Sequence, residues 1–420
     1  MEVNAYHHVI KFSRSNVLMS RPIGVSKNIK CFVCGGTVWH ELPFAHDGKS
    51  VTTSGLFVNK PIAKSQCAQC GLVQRTEQPF LGNTDFYEKK YTNYYERPNI
   101  YSFIQERYRA MARWVIESAG IETPNSIVEV GCGRGWTLDA LRELFPQTLL
   151  AGIEPSRENS AVARKKGYDV KVVKLTAENQ FGGRIFDIVF SNHVIQHTTD
   201  PLEFMVGCAA LAGETGVVVI NVQNARRPTS EILFSDQNFS FLPYHLATLA
   251  KKAGLRVIGW KDAPENDALI YSQLLIATKD RGRSIALSEE EERALMPPEA
   301  EQVLDLYTKR SAYLNSWAEI DHYLCSQVRG YNQVYHFGAG MFTLHLACYC
   351  PGYWSQVTAC VMDDTTGRFI DKRVYSLASL NFVTGDCVVI GVRPGIQRTI
   401  AARIEKQGVP TIVWDEFVEG

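Results

Sequence analysis

At 420 residues the chain exceeds what one hydrophobic core usually supports, so two or three domains are expected. It is 45% hydrophobic and 21% charged, with 44 basic residues balanced by 44 acidic ones. That balance lacks the basic excess of a polyanion-binding surface, which disfavours nucleic acid as the main partner. No apolar run approaches the roughly eighteen residues that span a bilayer, so no membrane partner is expected.

In chain order, residues 1–30 are polar and aperiodic and lack the apolar core of a signal peptide. Eleven cysteines without such a leader read as reduced thiols, and the expected compartment is the cytoplasm. Four of them form two CxxC knuckles, Cys31-Phe32-Val33-Cys34 and Cys67-Ala68-Gln69-Cys70. Each knuckle offers two thiolates to one ion, and two knuckles complete a tetrahedral zinc site. Four cysteines leave no open coordination position, so the expected zinc is structural. Residues 35–66 hold Trp39, Phe44 and Phe57 as a core too small to fold without the metal.

Residues 86–114 are rich in tyrosine: Tyr87, Tyr91, Tyr94, Tyr95, Tyr101 and Tyr108. The spacing predicts a helix over 100–116, packed on the next domain. The earlier tyrosines fit either a lid over substrate or an ordinary surface.

Residues 126–136 read SIVEVGCGRGW. A β-branched run suited to a buried parallel strand meets glycines at 131, 133 and 135, and an amphipathic run follows over 138–144. This is strand, tight turn, helix, with glycine allowing positive φ and close approach of a ligand. A dinucleotide fingerprint wants glycine at the sixth position, where Trp136 stands. A second strand, 149–153, ends in Glu154, 23 residues beyond Gly131, at the place for an acidic residue binding a ribose diol. Further strands are expected at 169–175, 186–190 and 217–222, a helix at 202–211, and an inserted segment at 223–242. A helix at 246–252 and strands at 257–260 and 271–278 close the domain. Residues 281–328 read as helical, with the acidic run 289–292 solvated at a helix start. From Val334 a second α/β unit begins, with Gly338-Ala339-Gly340 as a Rossmann-type turn that serves either packing or a nucleotide.

The ExGxGxG pattern of Glu129, Gly131, Gly133 and Gly135 resembles the first motif of class I S-adenosylmethionine (SAM) methyltransferases. That resemblance implies a doubly wound α/β sheet of seven strands, with Glu129 near the methionine amino group and Glu154 on the ribose. It also implies cofactor contacts from Cys132, Pro155, Asn192 and an adenine-binding turn at Thr176-Ala177-Glu178. The whole order is a zinc-binding module (1–80), SAM domain (81–280), helical connector (281–330) and C-terminal Rossmann-like domain (331–420). It is similar to the three-domain sugar C-methyltransferases that act on nucleotide-linked keto-deoxysugars. In that family the inserted segment carries a Glu-His pair, the His acting as base. Here the matching residues are Gln237-Asn238, and neither amide can accept a proton.

Methyl transfer to a hydroxyl asks mainly for in-line positioning and a nearby proton acceptor. His193, on the carboxyl edge after the fourth strand, is the first candidate base, with Asp236 and His245 behind it. Gln237 and Asn238 are expected to hold acceptor hydroxyls. The resulting expectation is methylation, on oxygen or carbon, of a small polar acceptor such as a nucleotide-linked sugar. A zinc-ribbon RNA methyltransferase and a non-catalytic SAM-fold binding protein are the alternatives.

Overall fold

The computed structural model describes residues 24–44, 48–76, 84–89, 91, 101–263, 269, 271–283 and 287–418. Tyr94 and Tyr95 of the tyrosine-rich stretch lie outside the described residues, as do residues 1–23. Six short strands come first: β1 (Val25–Ser26), β2 (Val38–Glu41), β3 (Ser50–Val51), β4 (Phe57–Val58), β5 (Lys64–Cys67) and β6 (Val73–Arg75). Strands β3 and β4 pair as a separate hairpin.

Helices α1 (Thr84–Lys89) and α2 (Tyr101–Ala119) lead into the central domain. Its elements are β7 (Ser126–Val130), α3 (Trp136–Leu144), β8 (Leu149–Ile153), α4 (Arg157–Lys165), β9 (Asp169–Lys171), β10 (Phe186–Asn192), α5 (Pro201–Leu211) and β11 (Ala212–Gln223). After them come β12 (Phe239–Ser240), α6 (Pro243–Lys252), β13 (Arg256–Asp262) and β14 (Ser272–Thr278). Local chemistry sets the boundaries. Asp200 caps α5 by accepting from the backbone N–H groups of Leu202 and Glu203, and Pro201 occupies the first turn, where no N–H is needed.

Seven strands run in the order β13-β14-β11-β10-β7-β8-β9, all parallel except β14. This is the doubly wound seven-stranded sheet that the resemblance to class I methyltransferases implies. Chain direction through the sheet reverses between β7 and β10, so the carboxyl ends of those two strands open a crevice for ligand.

Strand β12 does not belong to that sheet. It pairs antiparallel with β6, as a fifth strand in the order β1-β2-β5-β6-β12. The segment after β11 thus reaches out of the central domain to complete the N-terminal one.

Helices α7 (Glu289–Leu295) and α8 (Ala300–Gln327) follow. Within the acidic run, Glu291 is not merely solvated: it closes a capping box with Ser288 and takes the Lys261 ammonium at 2.9 Å. The C-terminal unit comprises β15 (Gln333–Phe337), α9 (Met341–Tyr349), α10 (Pro351–Gln356), β16 (Ala359–Met362), β17 (Gly367–Phe369), β18 (Lys372–Ser376), β19 (Asp386–Ile390), α11 (Gln397–Glu405) and β20 (Thr411–Ile412). Its sheet runs β17-β18-β16-β15-β19-β20, parallel except for β17.

The hydrophobic cores cross the boundaries expected near residues 80, 280 and 330. Trp39 and Leu72 of the N-terminal module share a core with Val128 and Val130 of β7. Val51 and Ile62 share another with Trp317 of α8 and Leu344 of α9.

Candidate functional site

The glycine turn after β7 is left-handed, with φ of 78° at Gly131 and 51° at Gly133. A Cβ on Gly131 would stand 2.3 Å from Val194 Cγ2, so the loop closes over bare backbone. Gly131→Ala is therefore expected to displace the 194–197 segment and weaken ligand binding at the turn at least tenfold, readable by calorimetry. The Glu154 carboxylate reaches across from β8, accepting the N–H of Gly133 at 2.9 Å and that of Ser156 at 2.8 Å. Gly135 serves packing instead, since its Cα faces the Tyr168 ring and Ala163. At Trp136 the ring lies 4.0 Å under the Lys166 ammonium.

A cavity of about 360 Å³ opens at this crevice, within the range of small-molecule sites. Glu129, Gly131, Cys132, Gly133, Glu154, Pro155 and Asn192 all line it. Ala177 and Glu178 do not: both are exposed outside the lining. Strand β9 stops at Lys171, and the Thr176 hydroxyl accepts from Glu178 N–H and from the Gln180 amide, folding the turn onto itself. Lys174, Asn159 and Thr199 stand along that edge of the cavity instead.

The opposite end is walled by three parts of the chain: Thr53 from the N-terminal module, Tyr87, Arg107 and Met111 from α1 and α2, and Met341 from α9. Glu231, Phe234 and Gln237, from the segment after β11, line it too, as do Tyr91 and Tyr108 of the tyrosine-rich stretch.

The base candidates separate sharply. His193 faces the cavity with a left-handed φ of 54°, its Nε2 3.5 Å from Ser272 Oγ. Burial, then the positive charge of Arg107, pushes its pKa down to about 3, so it is a neutral imidazole throughout the working pH range. An acidic limb near an ordinary histidine pKa is thus not to be expected from this residue.

Asp236 is fully buried and already committed. Its carboxylate accepts the Thr53 N–H at 2.8 Å and the Thr53 hydroxyl at 2.5 Å, clamping the β3–β4 hairpin to the central domain. His245 is likewise structural. Its Nδ1 accepts the Leu242 N–H at 2.9 Å, so Nε2 carries the proton and donates to the Cys70 carbonyl at 2.8 Å. Asn238 donates its side-chain amide to the carbonyls of His197 and Thr198 at 3.1 and 3.0 Å, bracing the loop behind the cavity. Neither Asp236, His245 nor Asn238 lines the cavity; Gln237 does.

Glu231, Arg107, Thr53 and Met341 carried no motif. Of these, only Arg107 left a readable signal, lying one helical turn before Met111 on the same face of α2.

In the N-terminal module the four knuckle sulfurs lie within 4.8 Å of one another. Cys31 and Cys70 Sγ are 3.5 Å apart, as are those of Cys34 and Cys67. A disulfide would need about 2.05 Å, whereas tetrahedral bonds of about 2.3 Å to one zinc set sulfurs roughly 3.8 Å apart. The donor set and spacing fit that ion. All eleven cysteines carry free thiols, and no helix among the described residues is long and apolar enough to cross a membrane.

Residues 103–259 match the family described as methyltransferase domain. The match spans 157 of the 420 residues. Among curated relatives, the ubiquinone biosynthesis O-methyltransferase of Rhodopseudomonas palustris is 32% identical over 102 residues, 23% of this chain and 40% of that protein. The enzyme of the same name from Bordetella pertussis is 27% identical over 178 residues, 36% of this chain and 71% of that one. The chain thus spans 40% of the length of the first of these relatives. Among solved structures, an O-methyltransferase family protein from Burkholderia thailandensis is similar over 43% of this chain and 58% of that one, with a TM-score of 0.35 and 19% identity.

Proposed function

We propose that the protein is a SAM-dependent methyltransferase that methylates a hydroxyl of a small polyhydroxylated acceptor, such as a nucleotide-linked sugar. The observation that carries this is one continuous cavity joining the Glu129–Gly133–Glu154 cradle to a set of unsatisfied carboxamides. Asn192 Oδ1, Gln196 Oε1 and Nε2, Gln223 Oε1 and Gln237 Oε1 are buried without hydrogen-bond partners, and all four residues line the cavity. A buried polar atom left unpaired costs about 1–3 kcal/mol, so these groups favour a ligand that supplies partners. Carboxamides both donate and accept without titrating, which suits hydroxyls better than a charged or apolar acceptor.

SAM would supply an electrophilic methyl on a sulfonium. Glu129 would meet its amino group, Glu154 its ribose, and Lys174 and Asn159 would border its base. The chain's own work is then to orient the acceptor, exclude water and remove one proton. Oxygen is favoured over carbon because the Glu-His base pair is absent and Asn238 is spent on the backbone of the 197–198 loop. Zinc on the four cysteines would be structural, and the seven other cysteines, none in a disulfide, suit a reducing compartment such as the cytoplasm.

The test is incubation with methyl-labelled SAM and a panel of nucleoside-diphosphate sugars, simple phenols and total RNA. Label in a low-mass product, on oxygen, is expected. Label in RNA, on carbon, or nowhere would contradict the reading.

A further inference from the structure

We propose that Glu231, rather than His193, takes the proton from the acceptor hydroxyl. This rests on the methyl-transfer reading above and assigns its acid–base group.

Glu231 sits in the short turn Ser230–Leu233 and lines the cavity beside Gln237, whose side chain hydrogen-bonds it. Two other parts of the chain hold that turn in place. From β5, the buried Lys64 ammonium donates to the carbonyls of Ile232 and Phe234 at 3.0 and 2.8 Å. From α9, the Tyr349 hydroxyl donates to the Leu233 carbonyl at 2.5 Å. A carboxyl carried at the cavity wall on a turn braced from both sides, and hydrogen-bonded by Gln237, is a preorganised arrangement for proton transfer.

The charged and titratable groups facing Glu231 are Lys64 on β5, Arg107 on α2 and Tyr313 on α8. Burial outweighs the two cations and lifts the Glu231 carboxyl to about 8. A group poised near the working pH is an effective general base, whereas an imidazole held at about 3 is a poor one.

The step balances. A lone pair on the acceptor oxygen forms the O–C bond to the methyl while the C–S bond of the sulfonium donor breaks and sulfur keeps that electron pair. The hydroxyl proton passes to the Glu231 carboxylate. Sulfonium and carboxylate charges are both extinguished, which a desolvated cavity favours.

E231Q keeps the shape and removes the titration. With an acceptor from the panel above, E231Q is expected to bind SAM as the wild type does and to lose about 10²-fold or more in kcat. Wild-type kcat should fall as pH drops through about 8; H193A should keep this limb and E231Q should lose it. A readout without turnover is the melting temperature. Because the folded carboxyl titrates at about 8 against an ordinary 4.5, wild-type stability contributed by Glu231 is lost as pH rises across that window. The Tm of E231Q minus that of wild type should therefore climb from about pH 4.5 to about pH 8 and then level off. A flat Tm difference, or an E231Q enzyme retaining wild-type rate and limb, overturns Glu231 alone. No product from the wild type removes the methyl-transfer reading and this proposal with it.

Discussion

Stripping metal from Cys31, Cys34, Cys67 and Cys70, by chelation or by Cys67→Ser, is expected to unfold the N-terminal module. Structural zinc contributes about 10–16 kcal/mol to small modules of this kind, far more than two- to four-residue strands can replace. The consequence does not stop at the module. The Cys70 carbonyl accepts from His245 at the start of α6, and Trp39 and Leu72 pack into the core beneath β7. Thr53, held by Asp236, forms part of the cavity wall. Loss of the module should therefore raise the acceptor KM before it changes SAM affinity, because Glu129, Gly133 and Glu154 all lie on the central domain. Elemental analysis should find one zinc per chain. Purified, folded protein without stoichiometric metal would contradict the assignment.

Arg310→Ala should be the most damaging change on α8. Arg310 is 2% exposed, and its guanidinium donates to Gln66 Oε1 at 2.6 Å, Gly71 O at 2.7 Å and Ala225 O at 2.9 Å. Three parts of the chain meet on one side chain. Truncation leaves buried acceptors unpaired and a void where the side chain lay, together about 3–5 kcal/mol. Burial, opposed by the nearby Cys70 sulfur, lowers the Arg310 pKa only to about 10, so the charge persists at neutral pH and its hydrogen bonds are charge-assisted. Thermal or denaturant unfolding should show this loss. A change under about 1 kcal/mol would mean that water replaces the contacts.

What was legible in the sequence was local or spacing-encoded. The strand, glycine turn and helix at 126–144 announce themselves because each residue's conformational need is written in its own type. Glu154 follows because a parallel strand ends where the second apolar run ends. The two knuckles are equally local. What stayed hidden was built from distant partners. Asp236 looked like a base, but its partner Thr53 is 183 positions away in sequence. His245 looked catalytic, yet it bonds a carbonyl 175 positions away. Glu231 was silent because its environment comes from Lys64, Arg107 and Tyr313 on three other elements, none near it in sequence. Ala177 and Glu178 stand outside the cavity lining for a different reason: β9 is only three residues long, so the chain leaves the sheet before reaching them.

The most direct measurement is calorimetric titration of SAM into the full-length chain and its Glu154→Ala variant. The wild type should bind one SAM per chain. Glu154→Ala should weaken that binding by about 1–3 kcal/mol, since the carboxylate loses both its ribose partner and its grip on the Gly133 and Ser156 N–H groups. A wild type that binds no SAM, or a variant whose dissociation constant is unchanged, would contradict the assignment of this cavity to the methyl donor.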